Sequence, residues 1–284
     1  MNTDALISAA ALSTIVDLDD VMIVDCRHQL ADADAGNRAW QRGHIPGAIH
    51  ANLDHDLSDL DKQGDGRHPL PDADAFMRWL ASIGWTPETK VVAYDDAGGA
   101  LAAARLWWML RLIGHGNAHV LDGGLAAWTR DGGKLESTAR SRVASELQRR
   151  AWSSDQLVDT QSLKSRLVDR SMLLIDARAA PRYRGEVEPI DKVAGHVPGA
   201  LNRPFSANLS DDGLFKNPSP LRDEWLAIIG GRDAGDVVHM CGSGVTACHN
   251  LLAMEHAGIH GSRLYAPSWS GWISDPDRPV AKGD

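Results

Sequence analysis

Cysteine is scarce in this chain: its 284 residues contain three, Cys26, Cys241 and Cys248. Three cannot build the disulfide framework of a small secreted domain, and the odd count leaves at least one thiol free for chemistry or packing. Long apolar runs are missing too. No stretch approaches the roughly 18 consecutive apolar residues of a membrane span, and the opening segment Met1 to Ala11 lacks the basic start and apolar centre of a signal peptide. The expectation is a cytoplasmic protein with no membrane partner. Basic residues are outnumbered, 29 Lys and Arg against 38 Asp and Glu for a net charge of -9. That balance argues against a broad phosphate-binding surface, so nucleic acid is not an expected partner. His50 with His55, and Cys248 with His249, are pairs at best, and no three or four ligands recur at zinc-like spacing. No metal and no other cofactor is expected.

What remains is an ordinary globular composition, 43% hydrophobic and 24% charged, in a chain long enough for two domains. Four segments recur in the same order, roughly 150 residues apart, which reads as a duplication. Met22 to Arg27 (Met-Ile-Val-Asp-Cys-Arg) matches Leu173 to Arg178 (Leu-Leu-Ile-Asp-Ala-Arg), and the Gly-His-Ile-Pro-Gly-Ala of Gly43 to Ala48 returns with Val for Ile at Gly195 to Ala200. Val91 to Asp95 pairs with Val237 to Cys241, and Leu121 to Trp128 with Tyr265 to Trp272. Each half opens on an apolar run ending in Asp, a buried strand, and alternates strands with helices. One helix is expected after Asp72, with Phe76, Leu80 and Ile83 on its inner face and Gly84 as its stop; a second spans Leu101 to Ile113 and ends at Gly114. A third begins just after Cys241 and runs to Gly258. Such βα alternation predicts an α/β fold in which each half is an open, mostly parallel sheet flanked by helices. The domains are expected over residues 1–135 and 151–284, with 136–150 as linker.

The chemistry concentrates at Cys241. A strand delivers it to its C-terminal end, and the glycine-rich turn Gly242-Ser243-Gly244-Val245-Thr246 leads into a helix. Successive N–H groups in such a turn form an anion-binding concavity, and the helix dipole adds about half a positive charge. A thiolate is stabilised there and becomes a strong nucleophile, and the same N–H groups suit a charged sulfur adduct.

The loop Cys241-Gly-Ser-Gly-Val-Thr-Ala247 and the paired Gly-His-x-Pro-Gly-Ala segments resemble the rhodanese family of thiosulfate and 3-mercaptopyruvate sulfurtransferases over nearly the whole chain. The resemblance implies two tandem rhodanese-like domains, the first without the catalytic cysteine, as Asp95 stands in its place. It implies that Cys241 takes a sulfane sulfur as a persulfide and passes it to a thiol, cyanide or thioredoxin-type acceptor. Arg182 matches the family's arginine for the donor's carboxylate or sulfonate, and Gly242, Gly244, Val245 and Thr246 its binding loop. Ser243, His68 and Asp54 match the proton relay of mercaptopyruvate-type members. The second arginine of those members is replaced by Asp191, with Lys192 beside it as a substitute. Thiosulfate-type members carry basic residues after the cysteine, where this chain has Gly242 and Ser243. The small-molecule donor is therefore expected to be 3-mercaptopyruvate, the alternatives being thiosulfate:cyanide sulfurtransferase and a sulfur-carrier or interaction module without turnover. A phosphatase on this fold needs arginine where Ala247 stands.

Other conspicuous residues are read as architecture. His44 and His196 recur in both halves, including the one without a nucleophile, and so are structural. Trp107, Trp108, Trp128, Trp269 and Trp272 are packing residues. Cys248 is expected to pack against the sheet. Arg178 and Arg184 are expected to be solvated surface arginines.

Overall fold

The computed structural model describes residues 5–140 and 142–284. Two compact units make up the chain: Met1–Asp59 with Leu70–Ser153, and Leu60–Pro69 with Ser154–Asp284. The segment Leu60–Pro69, which carries His68, thus belongs to the same compact unit as Ser154–Asp284.

The first unit holds strands β1 (Leu6–Ile7), β2 (Val21–Asp25), β3 (Ile49–His50), β4 (Lys90–Tyr94) and β5 (Ala118–Leu121), in the order β1-β5-β4-β2-β3 with every pair parallel. The second holds β6 (Leu173–Asp176), β7 (Leu201–Asn202), β8 (Val237–Met240) and β9 (Arg263–Leu264), in the order β7-β6-β8-β9, again all parallel. The duplication extends to register: Asp25 faces Tyr94 across the first sheet, and Asp176 faces Met240 across the second. The pairing of β1 with β5 survives in the second unit as one bridge, Leu157 to Leu264. Central strands buried along their length explain why both halves read as unbroken apolar runs.

Helices form near the expected places. Ala73–Ser82 has Asp72 at its N-cap position, and Gly84 beyond its end takes φ +78, a conformation costly for other residues. The second helix spans Ala103–Leu112 and is followed by Gly114 at φ +76. The third begins only at Ala247 and ends at His256, because residues 242–246 are turn and bend with Gly244 at φ +76. That late start, a correction to the expectation, is what makes room for the loop. Among the described residues of 136–150 no helix or strand forms. The segment lies along the first unit, with Ser145 N–H donating to the Ala81 carbonyl (2.9 Å). All five tryptophans named above are buried.

The terminal Asp of each opening strand has a purpose the sequence reading missed. Arg27 donates through Nε and Nη2 to the Asp25 carboxylate (2.6 to 3.0 Å), and its Nη2 also reaches the Gly43 carbonyl (2.7 Å). Arg178 repeats the arrangement with Asp176 (2.7 to 3.1 Å) and the Gly195 carbonyl (2.7 Å), and lies over the Trp269 ring. Arg178 is therefore no surface residue: its side chain is 1% exposed and ties the strand end to the Gly-His-x-Pro-Gly turn. Arg184, by contrast, pairs with the exposed Glu186. Arg178→Ala leaves the buried Asp176 without its cation, while Glu188 keeps Arg182, so a loss of about 3 to 5 kcal/mol is expected in denaturant unfolding. The histidines of those turns are structural as read. His44 stacks on Trp40 and bonds its carbonyl through Nδ1 (2.7 Å), and His196 does the same with Tyr183 (2.8 Å).

Two buried histidines set an expected pH dependence. Burial, helped by the charge of Arg203, pushes the pKa of His239 down to about 3, and burial pushes that of His115 down to about 4. A depressed folded pKa stabilises the fold above the unfolded value near 6.5 and is lost as pH falls below it. The urea midpoint is expected to drop between pH 7.5 and pH 5, less steeply in His239→Leu.

Candidate active site

The second unit carries the site. β8 ends at Met240, and Cys241, 2% exposed, opens the loop. Its backbone is fixed on both sides: the N–H donates to Ser268 Oγ (3.1 Å) and the carbonyl accepts from Trp269 N–H (2.9 Å). The Gly242 carbonyl accepts from Ser270 N–H (2.9 Å). Ser268 went unnoticed in the sequence. It is a buried non-glycine residue at φ +53, and its repeat partner Gly124, at φ +57, was the signal available. Cys248, fully buried on the helix Ala247–His256, donates from Sγ to the Gly244 carbonyl (3.4 Å) and so braces the loop from behind.

Thr246 stands at the N-cap position of that helix without a side-chain capping bond, and Val245 is buried. Among the described residues, the N–H groups of Gly242, Ser243, Val245 and Thr246 have no acceptor. The first unit shows what such a loop holds. At the position corresponding to Cys241, the buried Asp95 carboxylate accepts from Ala97 and Gly99 at one oxygen (2.9 and 2.8 Å) and from Leu101 and Ala103 at the other (3.0 and 3.2 Å). Burial raises the Asp95 pKa and these four N–H groups oppose the rise. The strand, loop and helix geometry therefore aims a set of backbone N–H donors at an acceptor group directly after the strand end.

Ser243 and His68 are both buried and meet at 2.7 Å, Oγ to Nδ1. The segment bearing His68 is held by Arg67 N–H, which donates to Ser270 Oγ (2.9 Å), and by Gly66, where a Cβ would lie 2.5 Å from the Pro267 carbonyl. Asp54 belongs to the first unit. It is part-buried, and its N–H donates to Asn52 Oδ1 (2.8 Å).

Arg182, on the short helix Ala180–Tyr183, reaches the loop. Its Nε and Nη2 bind Glu188 (3.2 and 2.7 Å), and Nη2 also binds Asp191 (3.1 Å). Burial alone pushes the Glu188 pKa up, but Arg182 and the Ile190 and Asp191 N–H groups hold it below the usual value. Asp191 does not leave the site short of an arginine. Its other oxygen binds Arg67 Nη1 at 2.6 Å, so a second guanidinium arrives from the segment Leu60–Pro69. Lys192, expected as the substitute, is exposed and lines a groove of about 450 Å³ together with Arg67 and Asp191. Sequence reasoning missed Arg67, though it immediately precedes His68.

The rhodanese-like domain profile matches residues 8–131 and 159–275, once in each half of the sequence. The chain belongs to the rhodanese family. It is 45% identical over the full length of both chains to a probable 3-mercaptopyruvate sulfurtransferase of Pseudomonas aeruginosa. A putative thiosulfate sulfurtransferase of Mycobacterium tuberculosis is 39% identical over 98% of this chain and 97% of that one. Among solved structures, the Escherichia coli 3-mercaptopyruvate sulfurtransferase superposes with a TM-score of 0.81 at 30% identity, covering 94% of this chain and all of that one. This member of the rhodanese family is accordingly a sulfurtransferase: it moves sulfur from a donor to an acceptor. Among its described residues no helix is long and apolar enough to cross a membrane.

Proposed function

We propose that this sulfurtransferase takes its sulfur from 3-mercaptopyruvate and hands it to a thiol, cyanide or thioredoxin-type acceptor through a persulfide on Cys241. The observation that carries the donor assignment is the bond between Ser243 and His68 in the loop that follows Cys241. The Cys241 thiolate attacks the donor sulfur, the carbon–sulfur bond breaks, and its electron pair leaves as the enolate of pyruvate. That enolate needs a proton, and a hydroxyl hydrogen-bonded to an imidazole can supply one. Asp54 is assigned as the relay's third member, with Asp54→Asn slowing this donor as its test. The persulfide's outer sulfur then lies among the loop N–H groups, as the Asp95 carboxylate does in the first unit. An acceptor nucleophile removes that sulfur and returns the thiolate, giving ping-pong kinetics. All three cysteines are free thiols, which suits a reducing compartment, and the cytoplasm is the proposed location.

A second reading has its own observation: Arg67 and Arg182 both flank Gly242, where they suit a thiosulfate dianion. Initial rates with the two donors against one acceptor separate the readings. Higher kcat/KM is expected for 3-mercaptopyruvate. A preference for thiosulfate overturns the donor assignment, and absence of turnover with both favours a carrier.

A further inference from the structure

We propose that Arg67 is the second anchor for the donor's carboxylate, working beside Arg182 in place of the arginine that Asp191 displaces; this rests on the mercaptopyruvate reading. A Cβ built on Gly242 would lie 3.2 Å from Arg67 Nη2 and 3.7 and 3.8 Å from Arg182 Nη1 and Nη2. Two guanidiniums thus bound the space over the residue next to the nucleophile, and glycine keeps that space open.

The partners of each arginine define which edge faces the loop. Arg182 turns Nε and Nη2 to Glu188 and Asp191, which leaves Nη1 toward Gly242. Arg67 turns Nη1 to Asp191, which leaves Nη2 toward Gly242, and its buried Nε has no hydrogen-bond partner among the described residues. Asp191 binds one guanidinium with each oxygen and sets their spacing, so it is a positioning residue. The cluster runs Asp176, Arg178, Glu188, Arg182, Asp191, Arg67, with cations and anions alternating. Its charges balance, so a carboxylate is recognised by directed N–H groups and not by excess positive charge.

Equilibrium binding to protein carrying Cys241→Ser, which cannot react, tests this apart from turnover. The ligands are 3-mercaptopyruvate and mercaptoacetone, the same keto thiol with a methyl group in place of the carboxylate. Adding Arg67→Gln is expected to weaken 3-mercaptopyruvate at least about tenfold and to leave mercaptoacetone within about twofold, while Arg67→Lys recovers part of the loss. Equal affinity with and without Arg67, an equal loss for both ligands as from a disturbed segment, or no binding of 3-mercaptopyruvate overturns the proposal. The donor reading fails separately, if wild type binds 3-mercaptopyruvate but does not turn it over.

Discussion

Cys241→Ser is expected to lower turnover by at least about 10⁴-fold with every donor and acceptor, because a serine hydroxyl neither forms a persulfide nor leaves as a stable anion at neutral pH. The fold has no reason to fail. The backbone of residue 241 is held by Ser268 and Trp269 whatever its side chain, and the replacement changes one buried atom. Cys26→Ser and Cys248→Ser provide the contrast and are expected to retain most of the activity. Cys26 is buried at the end of β2 in the first unit, where burial and the nearby Asp95, Asp25 and Asp56 push its pKa well up and suppress the nucleophilic thiolate. Parallel steady-state assays of the three variants check the ranking. Residual turnover in Cys241→Ser above the Cys248→Ser level would place the nucleophile elsewhere.

His68→Ala is expected to divide the donors. Protonation of the pyruvate enolate loses its general acid, so 3-mercaptopyruvate turnover should fall by about 10²-fold or more. Thiosulfate releases sulfite, which leaves as an anion without needing that proton, and its rate should stay within a few-fold of wild type. The Ser243 hydroxyl that His68 contacts at 2.7 Å loses its partner in the variant, so Ser243→Ala should reproduce the same selectivity in weaker form. Equal losses for both donors would mean that His68 supports the loop and does not move a proton. A stopped assay of pyruvate and of sulfite formation reads both arms directly.

Where geometry is local in sequence, it was legible. The strand, glycine turn and helix around Cys241 lie within one run of residues, and Asp95 stands at the corresponding position of the other half. The repeated Asp-x-Arg was visible too, yet periodicity cannot distinguish a solvated arginine from one folded back onto the carboxylate two residues before it. Arg178 was therefore misread, although its recurrence as Arg27 was the available hint. Arg67 was illegible for a different reason. Its partner Asp191 lies 124 residues away, and the seating of Gly66 against Pro267 with the Arg67 N–H bond to Ser270 brings the two together. For the same reason Asp191 looked like a lost arginine when it is the anion that holds two.

The most direct test is peptide mass mapping of the wild-type protein after treatment with 3-mercaptopyruvate in the absence of an acceptor. A gain of about 32 Da, one sulfur atom, is expected on the peptide containing Cys241 and on neither Cys26 nor Cys248, and it should vanish when a thiol acceptor is added. An active protein whose Cys241 stays unmodified, or one that carries the sulfur on another cysteine, contradicts the account.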